Sequence, residues 1–154
     1  MSLKRSIAME EETKGTIIAQ FRKNNREMIC VGRSEFQGKQ LVFVRTYAAG
    51  LEDEELVPTP SGVSVVSELS SELVQGVQAL KDALKTEAVV AKIKKNSKQE
   101  IWIGTSVFKG MPLIFIRTYA VWGDDPEFKP TKKGISVSVD LYPQLLEAVQ
   151  KLTH

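Results

Sequence analysis

G-R-S-E-F-Q-G-K-Q-L-V-F-V-R-T-Y-A (residues 32–48) and G-T-S-V-F-K-G-M-P-L-I-F-I-R-T-Y-A (residues 104–120) are one pattern written twice, 72 residues apart. The match extends outward without a gap. Pro58, Thr59, Gly62, Ser64 and Val65 fall on Pro130, Thr131, Gly134, Ser136 and Val137. Leu69, Leu73, Val77 and Leu80 fall on Leu141, Leu145, Val149 and Leu152. Ungapped self-similarity of this extent marks an internal repeat and governs every later inference about architecture.

Each copy reads as four strands and a helix. Thr16 to Lys23 and Ala88 to Lys95 are β-branched and apolar, and end at the turns Asn24-Asn25 and Asn96-Ser97. Met28 to Phe36 and Ile101 to Phe108 follow. Gln37-Gly38 and Lys109-Gly110 then close a tight hairpin, because glycine accepts positive φ. Leu41 to Ala48 and Leu113 to Val121 form the third strand. A long polar loop through Pro58 or Pro130 precedes a short strand starting at Gly62 or Gly134. The helix shows as stripes of period three to four: Leu69, Leu73, Val77, Leu80 and Leu84, then Leu141, Leu145, Leu146, Val149 and Leu152. Ser67 is the expected N-cap of the first helix; Asp140 and Ser138 compete for the second, with Pro143 in its first turn.

The fold class expected is α+β: two tandem ββββα repeats, residues 14–85 and 86–154, packed as an intramolecular pseudo-twofold dimer. A single copy covers one face of its sheet and buries too little surface to be robust. Pairing through helices and sheet edges, as in an isologous dimer, removes that difficulty. Lys81 to Glu87 joins the copies.

The third strand has two unlike sides. Leu41, Phe43, Arg45 and Tyr47 alternate with Val42, Val44, Thr46 and Ala48; Leu113, Phe115, Arg117 and Tyr119 alternate with Ile114, Ile116, Thr118 and Ala120. An unpaired guanidinium resists burial, so the arginine side stays partly open and the aliphatic side packs under the helix. Aromatic rings beside arginines on an open sheet suit unpaired bases and their phosphates. Basic residues stand nearby: Arg22, Lys23 and Arg26 in one copy, Lys92, Lys94, Lys95 and Lys98 in the other. Phe36 and Phe108 occupy hairpin ends. All of these have ordinary uses too: strand aromatics fill cores, arginines pair with carboxylates, and edge lysines oppose sheet-to-sheet aggregation.

Composition narrows the classes. The 154 residues are 42% hydrophobic and 26% charged, with a formal net charge of +2. Residues 1–85 carry 11 basic and 12 acidic side chains, and residues 86–154 carry 10 and 7, so any phosphate backbone draws mainly on the second half. Met1 to Thr13 lacks the apolar core of a signal peptide, and no later run reaches a membrane span, so a soluble intracellular protein is expected. The expected location is cytoplasmic, with the nucleoid or nucleus following from the organism. Cys30 has no disulfide partner, which fits a reducing compartment. Catalysis is not expected: the one histidine is His154, Asp124-Asp125 reads as a solvated loop pair, and no metal-ligand or phosphate-loop spacing occurs. No cofactor or metal is implied.

At residues 117–137 the chain reads R-T-Y-A-V-W-G-D-D-P-E-F-K-P-T-K-K-G-I-S-V. With Phe108-Lys109-Gly110 and Ile116-Arg117-Thr118-Tyr119 this resembles the single-stranded-DNA-binding domain of the positive cofactor four family of transcriptional coactivators. The resemblance covers nearly all of both copies and is specific in the second. It implies a ββββα fold, dimerisation into a saddle and single-stranded DNA across the sheets. It also implies nucleic-acid contacts from Phe108, Lys109, Arg117, Lys132 and Lys133, with Phe36, Lys39 and Arg45 as first-copy counterparts. Tyr47, Tyr119, Lys92 and Lys94 join them from the strand alternation. The family places an aromatic directly after the tyrosine; here Ala48 and Ala120 stand there, and Trp122 is the expected substitute. Pro60 and Ser61 replace the loop lysines in the first copy, beside an acidic run, Glu52 to Glu55. That leaves the first copy binding weakly or chiefly completing the fold. The Whirly and Pur-alpha families are similar in architecture. The expected partner is single-stranded DNA, with RNA and a protein-interaction scaffold as rivals. Transcription proteins are further candidate partners, and the expected state is a monomer open to further association.

Overall fold

The computed structural model describes residues 15–49 and 55–153. Met1 to Thr13, Glu52 to Glu54 and His154, considered above, lie outside them. Among the described residues, eight strands form two four-stranded antiparallel sheets, each a simple meander. The first runs β1 (Gly15–Arg22), β2 (Glu27–Phe36), β3 (Lys39–Ala49) and β4 (Leu56–Val66), and helix α1 (Ser70–Ala79) follows. The second runs β5 (Ala88–Asn96), β6 (Gln99–Phe108), β7 (Met111–Ala120) and β8 (Lys129–Ser138), then helix α2 (Tyr142–Gln150).

The hairpin turns follow from their residues. Gln37 and Gly38 have φ of 50° and 79°, and Lys109 and Gly110 have 52° and 80°. Two successive positive φ values form the turn whose twist matches that of paired strands, and glycine carries the second without strain. Register then pairs Phe36 with Lys39 and Phe108 with Met111 at the tips.

The fourth strands differ from expectation. They begin at Leu56 and Lys129, well before Gly62 and Gly134, so Pro58 and Pro130 lie inside them, opposite Tyr47 and Tyr119. An edge strand tolerates proline because one side of its backbone bonds to no neighbour. The chain bulges between: Arg45 pairs with Gly62 and Tyr47 with Pro58, so residues 59–61 exceed what β3 can match. The second sheet repeats this at residues 131–133. The Thr59 hydroxyl donates to the Thr46 carbonyl and the Thr131 hydroxyl to the Thr118 carbonyl, pinning both bulges.

Both helices start through a short 3-10 turn. Ser67 opens the first turn and its side chain caps nothing, which corrects that expectation. Ser138 Oγ accepts from the Asp140 N–H, so Ser138 rather than Asp140 caps the second. Pro143 sits in the first turn of α2, as expected.

The helices bind the halves together. α1 lies against β5 and α2 against β1, the helices touch each other, and β4 runs beside β8. Each half thus gives its helix to the other's first strand, the reciprocity of a twofold interface. One hydrophobic cluster takes side chains from both halves, including Ile29, Val44, Leu73 and Val77 with Ile101, Ile116, Leu145 and Val149. Gly76 lets α1 come close: a Cβ there would lie 2.5 Å from Ile103 Cδ1. The buried Tyr142 hydroxyl donates to the carbonyls of Val77 (2.9 Å) and Gln78 (3.2 Å), tying α2 to the end of α1. Arg33 donates to the Leu152 carbonyl at 2.6 Å.

Candidate nucleic-acid interface

With the inner faces of both sheets spent on the common core, function falls to the outer faces and hairpin tips. On β7, Ile114, Ile116, Thr118 and Ala120 are buried, whereas Leu113, Phe115, Arg117 and Tyr119 are half-buried. Cross-strand register extends that open side into two rows: Lys92, Trp102, Arg117 and Gly134, then Lys94, Glu100, Tyr119 and Pro130.

The centre of this face is an aromatic stack. Trp102 and Tyr119 lie parallel within 9°, centroids 3.8 Å apart. The Lys92 ammonium sits 4.1 Å from the indole centroid. The indole N–H donates to Glu100 Oε1 at 2.8 Å, fixing the ring's rotation. Trp102 is absent from the expected site. The 72-residue offset places it on Cys30, so the repeat gave no signal. Its parity would have: it alternates with the aliphatic Ile101 and Ile103, on the side of Gly104 and Ser106.

Arg117 stands beside the stack. Its guanidinium donates to the Thr131 carbonyl and to Ser136 Oγ, both at 3.1 Å. These acceptors are neutral, so its charge is oriented without being cancelled. The Thr131 bulge presents Lys132 and Lys133, both exposed, next to it. Lys92 and Lys94 are exposed on β5.

The predicted aromatics are spread along the sheet. Phe108 is 62% exposed at the β6–β7 tip, with the Lys109 ammonium 5.4 Å from its centroid. Val107, Met111 and Pro112 are exposed around it. Trp122 is 58% exposed beyond the other end of β7. Ten strand residues separate these ends, a span of roughly 30 Å. The stack and Arg117 lie between them.

The first sheet is built otherwise. Arg45 repeats the geometry, donating to the Thr59 carbonyl at 2.9 Å. Tyr47, expected as a base-stacking residue, is only 7% exposed. It packs with Cys30, Phe43, Met28 and Leu56 in a separate apolar cluster, which removes it from any contact surface. Burial pushes the Cys30 thiol up to about 11 and raises the Tyr47 phenol above its ordinary value. Phe36 is half-buried and, with Lys39, lines a groove of about 360 Å3 whose other wall includes Lys95 and Asn96 of the second half. A smaller cavity at the seam, about 100 Å3, is lined by Arg45, Lys95 and Lys133 among others. Pro60 and Ser61 occupy the first bulge where lysines occupy the second.

Asp125 pairs with Lys129 at 3.2 Å. A hydrogen bond from the Glu127 backbone N–H, then Lys129, holds its carboxyl below the ordinary range. Among the described residues no cluster of three or more His, Cys, Asp or Glu could hold a metal, and no helix is long and apolar enough to cross a membrane.

The fold and site thus define a paired four-stranded-sheet-and-helix protein whose second half carries a basic, aromatic outer face. Residues 95–148 match the family model described as Transcriptional Coactivator p15 (PC4), so that half contains a PC4 family domain. Among solved structures the chain is similar to a PC4 homologue from Burkholderia pseudomallei in two crystal forms. The tetragonal form is 25% identical and covers 45% of this chain and 100% of its own, with a TM-score of 0.40. The orthorhombic form is 24% identical and covers 46% and 93%, with a TM-score of 0.41. No curated protein matches.

Proposed function

We propose that the protein binds single-stranded DNA along the outer face of its second sheet, as a coactivator-like or DNA-maintenance factor. The observation that carries this is the juxtaposition of an oriented, uncancelled Arg117 with the Trp102–Tyr119 stack, flanked by Lys92, Lys94, Lys132 and Lys133. Rings supply base stacking without sequence preference, and the cations follow the phosphates. Phe108 with Lys109 and Trp122 extend the track at its two ends. The PC4 family domain at residues 95–148 supports the same assignment.

In this reading residues 14–85 and 86–154 are two repeats acting as an internal pseudo-dimer, with binding weighted to the second. Arg45 and Lys39 contribute charge from the first. The role is binding rather than catalysis, and proteins of the transcription apparatus are the partners that a coactivator-like factor would meet.

Fluorescence anisotropy of labelled single-stranded DNA, with duplex and RNA competitors and a salt series, tests the proposal. Salt-sensitive binding that prefers DNA single strands supports it, and the slope reports the phosphates engaged. Preferential displacement by RNA would reassign the ligand. Absence of binding at low salt would turn the function toward a protein partner.

A further inference from the structure

We infer that Trp102 is a base-stacking position within the second sheet, capped in the free protein by Lys92, and that the first sheet lacks its counterpart. This rests on the single-strand reading above. Two groups centred 3.8 Å and 4.1 Å from one ring cannot share a face of it, so Tyr119 covers one side of the indole and the Lys92 ammonium the other. Strand order agrees, since β5 and β7 flank β6. The Tyr119 side is backed by β8, where Pro130 is the register partner of the tyrosine. The Lys92 side carries the ammonium of an exposed lysine.

Relative strengths favour exchange. An exposed ammonium over an aromatic face is worth roughly 2–5-fold in an equilibrium, and a stacked base roughly 5–150-fold. A base therefore displaces Lys92, and the freed ammonium remains on the strand beside the new ligand, where it meets the adjoining phosphate. Glu100 keeps the indole in the orientation a base requires while this happens.

The first sheet has no equivalent. At the positions of Lys92, Trp102 and Glu100 it carries Gln20, Cys30 and Met28, and the tyrosine between them is buried. The repeat thus pairs one stacking face with one apolar plug.

Trp102 and Trp122 are the only tryptophans, which makes the site directly observable. The intrinsic emission of the wild-type chain and of Trp102→Phe is followed during titration with unlabelled oligo-deoxythymidine. Anisotropy of the labelled oligonucleotide is measured on the same proteins. The inference expects an emission change in the wild type that is mostly lost in Trp102→Phe. It further expects roughly 5–150-fold weaker binding in Trp102→Leu, and a salt slope reduced by about 0.7 in Lys92→Ala. Anisotropy showing binding while wild-type and Trp102→Phe emission respond alike would overturn the inference and leave the single-strand reading intact. No anisotropy change in the wild type would overturn both.

Discussion

Replacing Arg117 by alanine separates a binding role from a structural one. The guanidinium has five N–H donors, of which the Thr131 carbonyl and Ser136 Oγ take two. Three remain for a phosphate. A hydrogen bond to a charged group contributes about 1.5–3 kcal/mol. Arg117 is half-buried, so solvent screening reduces this to about 1–1.5 kcal/mol. Arg117→Ala should therefore weaken single-stranded DNA binding roughly 5–15-fold and lower the salt slope by about 0.7. The fold loses two hydrogen bonds to acceptors that water can reach, about 1 kcal/mol in total. Anisotropy at two salt concentrations, beside urea denaturation, reads both effects. Arg117→Lys should keep the slope but lose part of the affinity, since a lysine cannot reproduce the oriented fork. Affinity within twofold of wild type in Arg117→Ala, with wild-type binding intact, would refute the argument and make the residue a structural tie.

Three further outcomes follow from other parts of the molecule. Reversing charge at Lys132 and Lys133 together should lower the salt slope by more than the roughly 1.4 expected for two lost phosphate contacts, while the melting temperature stays near wild type because both are exposed. Tyr142→Phe should destabilise the fold by about 1 kcal/mol in urea titration, because it removes the hydroxyl donated to Val77 and Gln78. The Cys30 thiol, 0% exposed and with its pKa pushed up to about 11, should resist a thiol reagent at neutral pH until the chain is unfolded. Its folded form keeps a proton that the unfolded thiol releases near the ordinary value of 9.0, so its stabilisation is complete below that pH. As pH rises from there toward 11 it is lost, by roughly 2–3 kcal/mol. Tyr47, also raised by burial, acts in the same direction at higher pH. Urea titrations across that range, with Cys30→Ala as the flatter reference, measure it.

Period-two alternation in the third strand was legible because it is a local property: it separated Ile114 and Ile116 from Arg117 and Tyr119 without knowledge of what lay above or below. The hairpins were legible for the same reason, since positive φ at Gly38 and Gly110 is a demand of the turn itself. The repeat offset made the two-sheet architecture readable, and the inability of one sheet and one helix to bury enough surface made their pairing necessary. The early start of β4 and β8 was not legible, because Pro58 and Pro130 read as breakers unless the strand is known to be at an edge.

The proposed site divides along the same line. Arg117 could be named from strand alternation, whereas Lys132, Lys133 and Phe108 were named from the motif that resembles a known family. Trp102, Lys92 and Tyr119 form one object only through cross-strand register, which brings together residues from β5, β6 and β7. Tyr47 and Tyr119 have the same local sequence, R-T-Y-A, and opposite fates. What separates them is the residue across the sheet: Cys30 and Met28 belong to the apolar cluster that buries one ring, whereas Trp102 stacks on the other and leaves it half-buried. Strand pattern and turn chemistry are determined by neighbours in sequence; whether a ring becomes core or contact surface is determined by neighbours in space, and only the tertiary structure decides those.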